Sequence, residues 1–108
     1  MTSETHDTLP LPVVRYLAAR TPSEIAETFT PDGVATDERR THRGRVAIQN
    51  WREEADRVSY RQDILTASHE GNRASLTCRL TGDFPGSPVN LTYRFEIADG
   101  LVSRLEIS

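Results

Sequence analysis

Three side chains, Tyr16, Asp37 and His42, are of residue types that donate, abstract and relay protons. Tyr16 follows Val13 by three residues and precedes Arg20 by one turn, so its ring borders the apolar face of a helix while its hydroxyl can reach a cavity. Asp37 ends a short extended piece, Val34 to Asp37, and His42 sits between Thr41 and Arg43 in a second, Arg40 to Arg43. A carboxylate in an apolar pocket is made more basic by desolvation, and a phenol, with a reference pKa of about 10, stays protonated and can polarise a carbonyl. Structural roles fit the same residues. Tyr16 can be a core tyrosine bonded to backbone, and Asp37, followed by Glu38 and Arg39, can be a solvated acid paired to Arg39 or Arg43. His42 either faces the cavity as an acid–base partner of Asp37 or lies outward. Cys78 alternates with Leu76 and Leu80, which describes a buried inert thiol rather than a nucleophile.

The elements that must position these groups begin with Pro10 and Pro12, ahead of a run that puts Val13, Val14, Leu17 and Ala18 on one helical face; this first helix is expected from about residue 10 to 20. Thr21-Pro22-Ser23-Glu24 forms a capping box with proline at the first helical position, and Ile25, Ala26 and Phe29 supply the apolar face of the helix it opens. Thr30-Pro31-Asp32-Gly33 is expected to end that helix in a turn. After the two extended pieces, Gly44 opens a third helix with the stripe Ala47, Ile48, Trp51 and Ala55, while Arg45, Gln49, Arg52, Glu53 and Asp56 occupy the other faces. From Ser59 the period becomes two. Ala74, Leu76, Cys78 and Leu80 alternate with polar residues, as do Val89, Leu91, Tyr93, Phe95 and Ile97. Glu70-Gly71-Asn72, the Phe84-Pro85-Gly86-Ser87-Pro88 segment and Asp99-Gly100 separate the strands, the last pair matching a type I′ hairpin. Four strands then form an antiparallel meander behind the helices, which is an α+β plan with the helices on one sheet face.

At 108 residues the chain is sized for a single domain over 1–108, with its first eight residues or so expected to be disordered. Charged residues make up 27% and hydrophobic residues 36%, a balance that suits a globular fold with a modest core. All thirteen basic residues are arginines, and sixteen acids bring the net charge to -3, so no concentrated basic surface is available for nucleic acid. No apolar run could span a bilayer, and Met1 to Pro10 lacks the order of a signal peptide; no membrane partner is expected and the location reads as cytoplasmic. The lone Cys78 forms no internal disulfide, and three scattered histidines with one cysteine lack zinc-ligand spacing. No metal and no cofactor are expected.

In order along the chain, Val14-Arg15-Tyr16-Leu17, Phe29-Thr30-Pro31-Asp32-Gly33-Val34, Asp37, Arg43-Gly44 with Ala47-Ile48-Gln49-Asn50-Trp51, the Gly82-to-Pro88 loop, Tyr93-Arg94-Phe95 and Gly100-Leu101-Val102 resemble the nuclear transport factor 2-like superfamily. They are most similar to its SnoaL-like polyketide cyclase and ketosteroid isomerase-like branch. The resemblance covers Val13 to Ile107. It implies a cone: three N-terminal helices packed on a curved, mostly antiparallel sheet around an apolar cavity, commonly in a homodimer. It further implies Tyr16 as hydrogen-bond donor and Asp37 as proton-abstracting base; beside them, the residues themselves suggest His42 as a helper and Phe29, Trp51, Tyr60, Phe84, Leu91 and Tyr93 as pocket lining. One departure is visible. The relatives' second oxyanion donor, an acid four residues ahead of a phenylalanine, falls here on Leu91, ahead of Phe95. The function expected on these grounds is binding of a hydrophobic small molecule, with proton abstraction next to a carbonyl as in isomerisation or cyclisation, or else a non-catalytic ligand-binding or dimerisation module.

Overall fold

Prolines and caps divide the helical half of the chain. A computed structural model describes residues 9–108, so the expectation of disorder over the first eight falls outside the described residues. Helix α1 (Leu11–Ala18) follows Pro10 and ends where Ala19 turns extended, φ -64° and ψ 140°. It stops short of residue 20 because the chain must straighten to present Thr21 as the next cap. The Thr21 hydroxyl accepts from the Glu24 amide at 3.1 Å, and the Glu24 carboxylate accepts from the Arg20 amide at 2.7 Å, closing the capping box around α2 (Pro22–Glu27).

The segment expected to be a turn is strand. Thr30-Pro31-Asp32-Gly33 lies inside β1 (Phe29–Asp37), which pairs in parallel with the final strand, β6 (Leu101–Ile107). Between Phe29↔Val102 and Val34↔Arg104 the register shifts, so the extra residues bulge outward and the chain keeps its direction. The composition explains both readings: Pro31 cannot donate to a ladder, and Gly33 packs so closely that a Cβ there would lie 3.0 Å from the Phe29 ring. A tight hairpin through Glu38 and Arg39, with φ of 53° and 68°, leads into β2 (Arg40–Arg43). Gly44, at φ 88°, then opens α3 (Arg45–Ala55).

The expected meander follows as β3 (Tyr60–Glu70), β4 (Arg73–Gly82), β5 (Val89–Ala98) and β6. Asp99 and Gly100, at φ 55° and 75°, make the last hairpin. The six strands form one sheet in the order β2-β1-β6-β5-β4-β3, antiparallel except at β1–β6. Alternation along β4 buries Ala74, Leu76 and Cys78, and along β5 it buries Tyr93 and Phe95, against Val13, Ile25 and Ile48 from the helices. This is the α+β plan, with three helices on the buried face of a curved sheet.

Gly82 shows how tightly the meander closes on the region after α3. A Cβ at Gly82 would run into the Ser59 carbonyl oxygen and approach Tyr60 Cβ and Cα to 2.7 and 2.8 Å. Those are largely backbone obstacles, so Gly82→Ala is expected to destabilise the fold by about 1–3 kcal/mol. Urea melts check it, and an unchanged midpoint would show that β3 is free to move away from β4 at this end.

Candidate active site

Helix α3 carries the site because its inward stripe includes a charge. Ile48, Trp51, Arg52 and Ala55 are spaced i, i+3, i+4 and i+7, which sets Arg52 beside the apolar residues instead of on an outer face. The Arg52 side chain is only 14% exposed. Its Nη2 donates to Asp56 Oδ1 at 2.8 Å and to the Tyr60 hydroxyl at 3.3 Å, while its Nε is buried with no partner among the described residues. The guanidinium carbon lies 5.2 Å from the centroid of the Trp51 ring.

Trp51 fixes the carboxylate. Its Nε1 donates to Asp37 Oδ2 at 3.1 Å, so the half-buried Asp37 is tied to the core through the indole and not paired with Arg39 or Arg43. His42, across the β1–β2 hairpin, is half-buried with its ring stacked on the indole, centroids 5.8 Å apart and planes 21° apart. It therefore joins the site by packing on Trp51.

Tyr16 is buried from α1 and makes edge-on contacts with Phe29 at 6.2 Å and Phe95 at 5.3 Å. Burial raises the Tyr16 phenol well above its ordinary range; the Arg52 charge pulls it back, and Tyr60, Asp37 and Asp56 add to the rise. Burial also raises Tyr93, with Tyr16, Tyr60 and Cys78 adding to the effect and Arg52 opposing it. Burial alone would lower the Arg52 guanidinium, but Tyr16, Tyr60 and Asp56 together hold it above its usual value, so it stays charged. Burial likewise raises the Cys78 thiol, against the hydrogen bond that Gln62 Nε2 donates to its sulfur at 3.5 Å. That is the inert thiol the alternation describes.

The structure thus joins Asp37 and His42 through Trp51, and Trp51 to Tyr60 through Arg52, which the sequence reading set on another face of the helix; Tyr16 and Tyr93 lie in the core, where the Arg52 charge opposes the rise of both phenols. The stripe spacing carried the signal: an arginine at the i+4 position of an apolar pattern is half-buried by geometry. Phe29 lies wholly in the core beneath Tyr16, and Leu91, half-buried, pairs across the sheet with Cys78. Phe84 sits on the loop after β4, whose shape is set locally by Ser87: its amide donates to the Phe84 carbonyl at 3.2 Å and its hydroxyl accepts from the Gly82 amide at 2.9 Å. Two open grooves, of about 410 and 380 Å³, are lined by other residues: one between α1, α2 and the β5–β6 turn, the other on the outer sheet face. Among the described residues no group of three or more His, Cys, Asp and Glu side chains could hold a metal ion, and no helix is long and apolar enough to cross a membrane.

The raised phenols give a signed pH dependence. A group whose pKa is raised by folding stabilises the fold fully below its unfolded value, and that stabilisation drains away as pH climbs above it. For Tyr16 and Tyr93 the loss starts near pH 10, at about 1.4 kcal/mol per pH unit for each phenol. Thermal melts between pH 9 and 11.5 are expected to show falling stability, with a shallower slope in Tyr16→Phe. Equal slopes in the two proteins would mean that Tyr16 ionises freely in the folded state.

Comparison with known proteins agrees with this architecture. The family model for the SnoaL-like domain matches residues 13–105. A solved structure from Sinorhizobium meliloti, described as a candidate polyketide cyclase, is 40% identical with a TM-score of 0.87, and the match covers 98% of this chain and 100% of that one. A Catenulispora acidiphila protein of ketosteroid isomerase-like fold, solved with trimethylamine, is 19% identical with a TM-score of 0.79, over 94% of this chain and 86% of that one. A candidate ketosteroid isomerase from Kribbella flavida is 20% identical with a TM-score of 0.77, over 95% and 77% of the two chains. These last two show the shared fold alone. No curated protein matches. With nearly the whole described chain matched by the family model, and the same helices on the same curved sheet, the protein belongs to the SnoaL-like domain family within the nuclear transport factor 2-like fold.

Proposed function

We propose that the domain binds a hydrophobic carbonyl compound and abstracts the proton next to its carbonyl, in an isomerisation or cyclisation that needs no cofactor. Asp37 is the base and Tyr16 the donor to the carbonyl oxygen, with His42 supporting the indole that holds Asp37. The observation that carries this reading is the Trp51–Asp37 hydrogen bond of 3.1 Å, which fixes a half-buried carboxylate against the core. The relationship to the Sinorhizobium meliloti candidate cyclase supports the same class of substrate. Leu91, which offers no hydrogen bond, favours the second reading, a ligand-binding module without catalysis.

We also propose a homodimer through the outer sheet face, where Thr77 pairs with Thr92 and where Arg79 and Arg94 are exposed, a mixed surface suited to a twofold contact. Light scattering should give twice the 12.1 kDa chain mass; a monomer at high concentration would remove this part.

For the reaction, Asp37→Asn keeps the size and hydrogen bonding of the residue but cannot accept a proton at neutral pH. Ligands found by a thermal-shift screen of hydrophobic carbonyl compounds are followed by NMR for α-proton exchange in deuterated water. The variant is expected to bind them and to exchange them about 100-fold more slowly or worse. Equal exchange by both proteins would take Asp37 out of the mechanism, and binding without exchange by the wild type would favour the non-catalytic module.

A further inference from the structure

Arg52 is more than its visible partners need. A guanidinium offers five N–H donors, and Asp56 and Tyr60 both take theirs from Nη2, leaving Nε buried without a partner among the described residues. Burying a permanent cation is costly, and an unsatisfied N–H on it adds to the cost, so a sequence that needed only a helix-capping ion pair would keep the arginine on the surface. The side chain instead lies over the Trp51 face, whose indole Nε1 holds Asp37, with Nη2 on the Tyr60 hydroxyl, and its charge lowers the Tyr16 phenol against the rise that burial causes.

We propose that Arg52 is the second oxyanion donor of the site, its guanidinium acting with the Tyr16 hydroxyl to hold the ligand's carbonyl oxygen as that oxygen takes up negative charge. This rests on the proton-abstraction reading above. In the step, Asp37 takes the α-proton, the C–H electron pair becomes the new C=C bond, and the carbonyl π pair moves to oxygen. One negative charge leaves the carboxylate and appears on the ligand oxygen, while Arg52 stays protonated throughout. The charge count favours this moment: before transfer Arg52 is paired with Asp56 alone, and after transfer the new oxyanion gives the cation a second negative partner. The inference also bears on substrate. A cationic donor suits ligands that form a discrete enolate anion, with an apolar body against Trp51 and Tyr93, and a ligand bearing a fixed carboxylate would be repelled by Asp37 in the resting state.

The test uses 4-nitrophenol as a stable oxyanion mimic and 4-nitroanisole as its neutral counterpart, on the Asp37→Asn protein, which imitates the site after proton transfer. Asp37→Asn is expected to bind the phenolate in preference to the ether, and adding Arg52→Met is expected to weaken phenolate binding about 10- to 100-fold while leaving the ether nearly unchanged. Phenolate affinity that is the same with and without Arg52, or a preference for the ether in Asp37→Asn, would overturn the proposal. Should Arg52→Met fail to fold, the Arg52 Nε–H signal in 15N NMR, assigned by its loss in Arg52→Lys, gives the same answer: it should move on adding phenolate and not on adding ether, and a signal still in both would equally overturn the proposal. Failures of the two readings are separable. Phenolate binding that depends on Arg52 without α-proton exchange by the wild type would sink the Asp37 mechanism and keep Arg52 as the anion-holding group, whereas exchange with Arg52-independent phenolate binding would sink only the present proposal.

Discussion

The fold has to cover a large sheet with little helix. Strand β3 and helix α3 both have 11 residues, but a strand rises about 3.3 Å per residue and a helix about 1.5 Å, so the helix is less than half as long. The helices lie against β1, β2 and β6. The remaining strands can bury their apolar side only by curling back over those helices. Bulges supply the bend, at Phe29/Val34 in β1, at Ile64/Thr66 in β3 and at Ser103 in β6, opposite Glu96 and Ile97 of β5. Beyond its bulge, β3 loses cover and Leu65, Thr66, Ser68 and His69 are exposed, while Tyr60, Gln62 and Ile64 before it are half-buried. The covered end is where the polar cluster sits.

Helix α3 is held by polar contacts to both ends of β1, which fixes its position along the sheet. Near its start, Arg45 donates to the Phe29 carbonyl from Nε at 3.0 Å and from Nη2 at 2.7 Å, satisfying an acceptor next to the β1 bulge. Two turns on, Trp51 donates to Asp37 at the far end of the same strand. A helix so fixed presents Arg52 at one height above the sheet. Its long stem packs with the core while its head meets Asp56 toward solvent and Tyr60 across the chain.

The parts legible in the sequence are those governed by local rules. The capping box at Thr21 and Glu24, the Asp99-Gly100 hairpin and the alternation of β4 and β5 each follow from chemistry within a few residues. What was not legible depends on distant partners. Pro31 and Gly33 carry the signature of a turn, yet the parallel pairing to β6, about seventy residues away, keeps the chain moving forward as a bulged strand. The bond from Trp51 to Asp37 likewise cannot be read from two segments taken separately, because it needs the β1–β2 hairpin and α3 already in place. Arg52 is intermediate: its stripe position is visible in the sequence, but charge biases any one-residue reading toward the surface.

Tyr16 shows why the site cannot be separated from the core. Its ring is clamped by Phe29 and Phe95, so the hydroxyl is positioned by packing, and repositioning it would disturb two fully buried aromatics. Burial keeps that hydroxyl protonated, which makes it a donor at every physiological pH. Of the charges acting on it, Arg52 has the largest influence and the opposite sign to Asp37 and Asp56. Neutralising Asp37 by protonation would leave the positive field at Tyr16 less opposed, and a phenol in a more positive field is a stronger hydrogen-bond donor. In the proposed reaction the hydroxyl would therefore grip a carbonyl oxygen harder once the carboxylate has taken a proton, which is when that oxygen carries charge. In the proposed reaction the same arrangement would favour the charged oxygen over the uncharged ketone, weighting its binding energy toward the transition state.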